Sequence, residues 1–212
     1  MKTRDRILVT SLLLFNQEGE ENVTTVDIAN EMDISPGNLY YHFKGKGSII
    51  EALYSNYETE LTGLLQQSLE KTLGVEDHWL FIYVVFEEIH KFRFFYLNAA
   101  NIMLKYPDIE RRFRRLIKTK IHTIEALCQH LMTQLQFDVD QVDIKLLAEN
   151  IALTLLYWFP YQQLLHPGTD DIKLIHKGVY HVLSLVAPYA GSGQQDYMAA
   201  IKALYKDNVL TD

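Results

Sequence analysis

The densest group of side chains able to make specific polar contacts lies within six consecutive positions near the N-terminus. The group comprises Gly37, Asn38, Tyr40, Tyr41 and His42. Leu39 and Phe43 are four residues apart, so on a helix they share a buried side and leave this group exposed. Amide, phenol and imidazole tips, beside a glycine that permits close approach, indicate a surface that can enter a DNA major groove.

Two short helices must position this surface. Thr24, with Asp27 three residues later, is suited to cap the first helix. Ser35 is suited to cap the second, and Pro36 fits its first position, where a missing N–H costs nothing. A turn of about three residues between them predicts a helix-turn-helix. The same pattern also fits a compact helical pair with surface tyrosines that binds no DNA.

The rest of the chain also has helical periodicity, because apolar residues recur at intervals of three and four. We predict an all-α protein, with later helices over about 76–91, 92–104, 108–136, 141–165, 170–187 and 194–209. Asp140 and Asp170 should cap two of these, and Pro160 should kink or end another. An N-terminal three-helix helix-turn-helix domain, 1–46, is then joined to a larger helical ligand-binding and dimerisation domain, 47–212.

Residues 3–50 resemble the DNA-binding domain of TetR-family bacterial transcriptional regulators. The resemblance rests on Arg6-Ile7-Leu8, Leu14-Phe15, Gly19, Thr24-Thr25, Ile28-Ala29, Ile34-Ser35-Pro36-Gly37-Asn38-Leu39-Tyr40-Tyr41-His42-Phe43 and Lys46. It implies base-edge contacts from Gly37 and Asn38, and phosphate contact from Lys46 at the start of the fourth helix. The full set of DNA-binding residues that it implies is Thr24, Thr25, Ser35, Gly37, Asn38, Tyr40, Tyr41, His42 and Lys46.

Three departures from the family pattern bear on stability. Asp33 stands where the family usually has a turn glycine, so a positive φ there is more costly, although Asp tolerates it better than most residues. Glu20 replaces a frequent aromatic residue. Gly45 and Gly47 flank Lys46, so the fourth helix should begin less firmly.

Aromatic residues concentrate in the larger domain, with a few polar side chains among them. Together they suit a mostly apolar pocket with a few orienting polar groups, and a simple aromatic core is the alternative. The predicted pocket residues are Phe86, His90, Asn98, Asn101, His122, Tyr157, Trp158 and Tyr161. The expected ligand is an unknown small-molecule effector, uncharged or amphipathic rather than strongly anionic.

The predicted dimer interface uses the two helices over about 141–165 and 170–187, and the second of them carries an apolar stripe at helical spacing. The stripe consists of Ile172, Ile175, Val179, Tyr180 and Leu183. Family dimers would pack such helices into a four-helix interface. The alternative is that the stripe packs within its own chain.

Seven basic residues lie between positions 105 and 120. They are Lys105, Arg111, Arg112, Arg114, Arg115, Lys118 and Lys120. A solvated helix face, a second nucleic-acid patch and an anion-binding site are all compatible with them.

The net charge of −7 argues against a nucleic-acid partner when taken alone. By region, however, residues 34–50 contain two lysines, one histidine and no acidic residue. The charge therefore predicts weak non-specific DNA binding with a modest salt dependence. No signal peptide or membrane span is visible, so we expect a cytoplasmic protein without membrane contact.

Enzyme motifs for acyl transfer, phosphate binding and zinc hydrolysis are missing from the sequence, and we expect no catalytic residue, cofactor or metal. The prediction is a homodimeric, ligand-responsive repressor that binds a palindromic DNA operator. The alternatives are a sensory or interaction protein of the same fold without operator binding, and a helical enzyme acting on a small apolar ligand.

Overall fold

A computed structural model describes residues 1–70, 75–134 and 141–189, with the single residues 199 and 202. Its α-helices are α1 (Thr3–Glu18), α2 (Thr25–Glu31), α3 (Pro36–His42), α4 (Lys46–Glu70), α5 (Val75–Lys91), α6 (Phe94–Leu97), α7 (Ala99–Lys105), α8 (Pro107–Gln134), α9 (Gln141–Leu165) and α10 (Asp171–Val186). Short 3₁₀ turns cover Glu20–Asn22 and Ala187–Tyr189. No strand occurs among the described residues, and the all-α prediction is confirmed.

One predicted feature differs from the structure. The single helix expected over 92–104 is divided into α6 and α7 at Asn98, whose φ of −127° and ψ of 37° are not helical. Of the kink or end predicted at Pro160, the end does not occur, since α9 continues to Leu165. Asp170 caps α10 as predicted, since its side chain accepts a hydrogen bond from Lys173 N. The predicted Asp140 cap, and the helix over 194–209 apart from residues 199 and 202, lie outside the described residues.

The chain forms two compact units, and the first comprises Met1–Glu60 with Phe92–Arg114. Its core is aromatic: the rings of Phe15 and Phe94 are 5.3 Å apart, and Tyr54 meets Phe95 edge-on at 5.3 Å. Phe94 N also donates to the side chain of Asn16 at 3.1 Å. Residues from positions 92–114 therefore pack with the helix-turn-helix in one unit. The predicted domain boundary at residue 46 concerns the helix-turn-helix itself and stays a prediction.

The second unit takes its described residues from Leu61–Lys91 and from Arg115 onward. Helix α10 packs on α5 and α9. Gly178 allows this close packing, because a Cβ there would lie 2.6 Å from the ring of Phe86 and 2.8 Å from Trp158 Nε1. Trp158 also donates to Leu174 O at 2.9 Å, which ties α9 to α10.

Within the described residues, no helix is both long enough and apolar enough to cross a membrane.

Candidate nucleic-acid interface and small-molecule cavity

Helix α2 begins at a complete capping box. Thr24 Oγ1 accepts a hydrogen bond from Asp27 N at 3.2 Å, and Thr24 N donates to Asp27 Oδ2 at 2.7 Å. The Thr24 hydroxyl also donates to the same carboxylate at 2.6 Å. These hydrogen bonds to Thr24 hold the pKa of Asp27 below its usual value. The predicted cap is confirmed. The Thr24 hydroxyl donates its hydrogen to the Asp27 carboxylate and so has an acceptor within the protein.

Helix α3 begins as the sequence predicts. Ser35 Oγ accepts from Asn38 N at 3.1 Å, and Pro36 occupies the first turn. Asp33 closes the preceding turn with a φ of 53°, the positive value expected at this position. The turn is fixed by Ile34 N, which donates to Ala29 O at 3.0 Å.

The outer face of α3 carries the predicted contact group. Leu39 and Phe43 are buried, whereas Gly37 and Asn38 are exposed. Tyr41 is 78% exposed and Tyr40 is 56% exposed, so neither ring is needed for the core. His42 is half-buried, and its ring meets Tyr41 edge-on at 5.1 Å. The structure thus brings all five residues to one helix and presents them to solvent in different degrees.

Two cations that the sequence analysis missed lie beside this helix. The Lys44 ammonium is 4.7 Å from the centre of the Tyr40 ring. The Arg4 guanidinium, from α1, is 4.8 Å from the centre of the Phe43 ring. Both residues are exposed. Lys44 was detectable as a basic residue directly after the contact group, but the contact of Arg4 depends on the packing of α1.

Lys46 is the first residue of α4, as predicted, and its ammonium has partners within the protein. Its ammonium donates to Glu20 O at 2.7 Å and Val23 O at 2.9 Å, and it pairs with Glu20 Oε1 at 3.1 Å. These three acceptors match the three N–H donors of an ammonium group, so none is left for a DNA phosphate in this conformation. In this conformation Lys46 fixes the start of α4 to the α1–α2 link, and its contact with a DNA phosphate stays a prediction.

Glu20 is the centre of a buried polar cluster. Besides Lys46, it accepts hydrogen bonds from Lys105 Nζ at 2.9 Å and from Tyr106 Oη at 3.0 Å. Burial alone would raise the pKa of Glu20, but the hydrogen bonds from Lys105, Lys46 and Tyr106 outweigh it and lower the pKa. The residue is 3% exposed, so its charge depends on these partners.

The basic residues of positions 105–120 do not form one positive patch. Lys105 binds Glu20, and Arg112 binds Glu58 at 2.6 Å as well as Glu51. Arg111 and Arg114 pair with acidic residues one turn away on α8. Lys120 is 3% exposed, and burial lowers its pKa to about 7. Most of these charges therefore have intramolecular partners or are buried.

The second unit contains an apolar cavity of about 50 Å³ between α5, α8, α9 and α10. Nine of its lining side chains are aliphatic, and the other two are a phenylalanine and a cysteine. The lining residues are Phe81, Ile82, Val85, Ile124, Leu127, Cys128, Ile151, Leu155, Val182, Leu183 and Val186. Burial, with a smaller effect from Glu125, raises the pKa of the Cys128 thiol to about 12, so the lining is uncharged at neutral pH.

None of the eight predicted pocket residues lines this cavity, and their role as ligand contacts stays a prediction. Asn98 and Asn101 belong to the first unit, and Asn98 donates to Glu21 at 2.9 Å. His122, Tyr157 and Tyr161 are exposed. The other three pack in the core of the second unit: Phe86 and Trp158 lie beside Gly178, and the His90 ring is 5.2 Å from Phe159. Choosing pocket residues by aromatic content therefore identified residues of the core and of the surface, but none that lines this cavity.

The predicted dimer stripe is largely internal. Ile175, Val179 and Leu183 are buried within their own chain, and Leu183 lines the cavity. Tyr180 is half-buried, and Ile172 is 60% exposed. This corrects three of the five interface residues, because a side chain already buried against its own α5 and α9 has no surface left for a second copy.

Exposed apolar side chains lie on α9, the other helix of the predicted interface. Within the described residues, they follow one face of the helix at intervals of three, four and seven. They are Leu146, Leu153, Tyr157, Tyr161 and Leu164, and each is more than half exposed. We call this set the α9 stripe.

Comparison with known proteins agrees with the site. Residues 7–53 match the family model described as bacterial regulatory proteins of the tetR family. Residues 56–198 match the model described as a bacterial transcriptional repressor. The chain belongs to the TetR family. The resemblance that the helix-turn-helix carried is therefore confirmed, and it extends through the larger helical part.

Solved structures share the whole fold. A TetR-family transcriptional regulator from Marinobacter aquaeolei VT8 is 29% identical, with a TM-score of 0.84 over 96% of this chain and 98% of that chain. SmeT, the repressor of the Stenotrophomonas maltophilia multidrug efflux pump SmeDEF, is 18% identical, with a TM-score of 0.61 over 92% of this chain and 93% of that chain. At this identity SmeT shows the fold alone.

Curated relatives match over shorter segments. The probable transcriptional regulator YttP of Bacillus subtilis is 31% identical over 34% of this chain and 39% of its own length. IcaR of Staphylococcus aureus, a negative regulator of the biofilm operon icaADBC, is 25% identical over 65% of this chain and 63% of its own length. The chain thus spans less than two thirds of the length of these relatives.

Proposed function

We propose that this TetR-family protein is a repressor that binds a palindromic DNA operator as a homodimer and is released by a small apolar effector. The observation that carries the proposal is the outer face of α3. It exposes a glycine, an amide and two phenols in a segment, 34–50, without an acidic residue. An acid-free helix face with polar tips is suited to approach phosphates without repulsion and to reach base edges.

The contacts divide into two groups. Gly37 and Asn38, in the first turn of α3, are proposed to read base edges, because the first residues of a recognition helix reach deepest into the groove. Tyr40, Tyr41 and His42 are proposed to position the backbone through phosphate and sugar contacts. Thr25, half-buried in the first turn of α2, and Ser35, exposed at the α3 cap, are proposed to lie near phosphates, together with the α2 N-terminus at Thr24.

Lys44 and Arg4 take the phosphate role that the sequence assigned to Lys46. Both are exposed and lie against rings at the end of α3, whereas the donors of Lys46 are occupied. Two exposed cations per protomer form a small electrostatic footprint. Non-specific affinity and salt dependence should accordingly be modest.

The α9 stripe is the proposed dimer interface, joined by Ile172 at the start of α10. Five exposed apolar side chains in one row are costly to leave in water, and a second copy of the same row can cover them about a two-fold axis. A two-fold dimer places two copies of α3 in successive major grooves, which matches a palindrome with half-sites about 34–36 Å apart or somewhat more.

The cavity in the second unit is the proposed effector site. The SmeT–triclosan complex shows that a protein of this fold can hold a small molecule. A ligand that binds better to the conformation unable to span the operator would shift the population away from DNA.

The decisive experiment is titration of the purified protein against DNA from its own promoter region at several salt concentrations. Binding that exceeds binding to random DNA by at least about a thousandfold is expected for a specific regulator. Equal affinity for promoter and random DNA would exclude operator recognition and leave a sensory protein of the same fold.

A further inference from the structure

We propose that the effector enters the second unit by inserting an unbranched alkyl chain into the cavity between α5, α8, α9 and α10. This inference rests on the cavity being the effector site of the proposed function. It goes further by specifying the chemical class of the part of the ligand that is buried there.

The first argument is the chemistry of the lining. Nine of eleven lining side chains are aliphatic, Phe81 is the single aromatic ring among them, and Cys128 supplies a weak thiol donor. A buried ligand group that needs hydrogen bonds would lose those it made with water and find no strong partner here, which is costly. An alkyl chain needs none and gains from leaving water in proportion to its apolar area.

The second argument is size. The cavity holds about 50 Å³, whereas drug-sized pockets occupy about 300–1,000 Å³. An apolar cavity that accepts benzene has a volume of about 150 Å³. A benzene-sized ring therefore exceeds the volume of the cavity in this conformation, whereas the end of an alkyl chain fits within it. The cavity is partly open, so the remainder of the ligand has a way out.

The shared chemistry, an alkyl chain, occurs both in uncharged lipids such as long-chain alcohols and in fatty carboxylates. The test uses 1-decanol, sodium decanoate and naphthalene with the full-length protein. Binding is measured as the rise in thermal unfolding temperature and as protection of Cys128, the single cysteine of the chain, from N-ethylmaleimide. Mass spectrometry of native protein gives the labelling rate.

We expect 1-decanol at about ten times its dissociation constant to slow Cys128 labelling roughly tenfold and to raise the unfolding temperature. An equal effect of decanoate means that the head group stays at the opening, and a much weaker effect means that it enters. Both results support an alkyl-chain site. Protection by naphthalene but not by 1-decanol, or by none of the three, overturns the proposal.

A matched pair of variants tests where the bound alkyl chain lies. Leu155→Phe adds bulk to the cavity wall, and Leu153→Phe makes the same change on the exposed side of α9. The first should abolish 1-decanol binding and the second should leave it unchanged. If Leu155→Phe fails to fold, the protection of wild-type Cys128 still decides the matter. Equal 1-decanol affinity in two folded variants contradicts the assignment.

Failure of the proposed function is a separate result. Operator DNA is added to the wild-type protein with and without 1-decanol, after binding to the cavity has been measured. Protection of Cys128 without any change in operator affinity keeps the alkyl-chain site and removes its role as effector site. A loss of operator affinity without protection of Cys128 would mean that 1-decanol acts elsewhere, and it overturns the alkyl-chain site.

Discussion

The ammonium of Lys46 and the carboxylate of Glu20 lie 3.1 Å apart and join the first residue of α4 to the 3₁₀ turn after α1. Lys46 additionally binds two backbone carbonyls of the same link, and Glu20 binds Lys105 and Tyr106. Helix α8 starts directly after Tyr106 and continues to Ile124 and Cys128 of the cavity lining. Within the first unit, the Glu20 cluster therefore joins the link between α1 and α2 to the start of α4 and to the residues just before α8.

Glu20→Gln should destabilise the protein at neutral pH by about 1–3 kcal/mol, because it weakens charge-assisted hydrogen bonds to a buried group. The pKa of Glu20 is lowered in the folded protein. Its stabilisation is therefore complete above its unfolded-state pKa of about 4.5 and is lost as pH falls through the lower folded-state value. Urea unfolding of both proteins between pH 3 and 8 should show stability curves that converge in acid.

Glu31→Gln is the control for that change, since Glu31 is exposed at the end of α2. It removes the same charge from the same unit and should alter stability by less than about 0.5 kcal/mol. A difference between Glu20→Gln and wild type that stays the same from pH 8 down to pH 3 would mean that the carboxylate charge is not what stabilises the cluster.

Lys44→Met and Lys46→Met should have opposite phenotypes. Lys44 is exposed beside α3, so its loss should weaken binding to all DNA sequences and lower the salt slope by about 0.9 per lost phosphate contact, with an unchanged unfolding temperature. The Lys46 ammonium donates hydrogen bonds to two backbone carbonyls within the protein, so its loss should lower the unfolding temperature. Salt-dependent DNA titration and thermal unfolding of both variants distinguish the roles. A changed slope only in Lys46→Met would restore Lys46 as the phosphate contact.

Asn38→Ala should change which operator sequence is preferred, since a lost amide contact to adenine costs about 1–3 kcal/mol of discrimination. Tyr41→Phe should instead weaken binding to all sequences, because a phenol hydroxyl on a phosphate carries no sequence information. Asn30→Ala, at an exposed asparagine of α2, is the control. Selection of preferred sites from a random DNA library measures the effect. Identical preferences in Asn38→Ala and wild type would remove Asn38 from the base-reading group.

Leu164→Glu should separate the dimer, because it places charge in the α9 stripe. Leu104→Glu is a matched control: Leu164 is 84% exposed and Leu104 is 85% exposed, but Leu104 lies on α7 of the other unit. Sedimentation velocity at several protein concentrations gives the oligomeric state. We expect a shift of at least about tenfold in the dimer dissociation constant for Leu164→Glu alone, equivalent to about 1.4 kcal/mol. Equal dimerisation of the two variants would place the interface elsewhere.

Features set by neighbouring residues were predictable from the sequence. The caps at Thr24 and Ser35 follow from side chains within a few positions of the backbone they stabilise, whereas the positive φ at Asp33 was expected from the family resemblance. The Glu20–Lys46 pair was not predictable, because 26 positions separate these residues and either charge alone fits a solvated surface.

The same reason explains why the α10 stripe was assigned to a dimer interface. Helical spacing identified an apolar stripe containing Val179 on α10, but spacing does not tell whether such a stripe is covered by its own chain or by a partner. Helix α10 is covered by α5 and α9, and the row containing Leu153 and Tyr157 on α9 remains exposed. Packing between helices that are distant in sequence determines which apolar stripe is buried within its own chain and which stays exposed.

Gly178→Ala should destabilise the second unit although alanine favours helices more than glycine. Its Cβ would lie 2.6 Å from Phe86 and 2.8 Å from Trp158 Nε1, which already donates to Leu174 O. Overpacking costs about 1–3 kcal/mol, against a gain in helix propensity of about 1 kcal/mol. Gly63→Ala on α4 meets nothing within 4 Å and should stabilise by up to about 1 kcal/mol. Urea unfolding that finds both variants stabilised would show that α10 can move away from α5 and α9 at little cost.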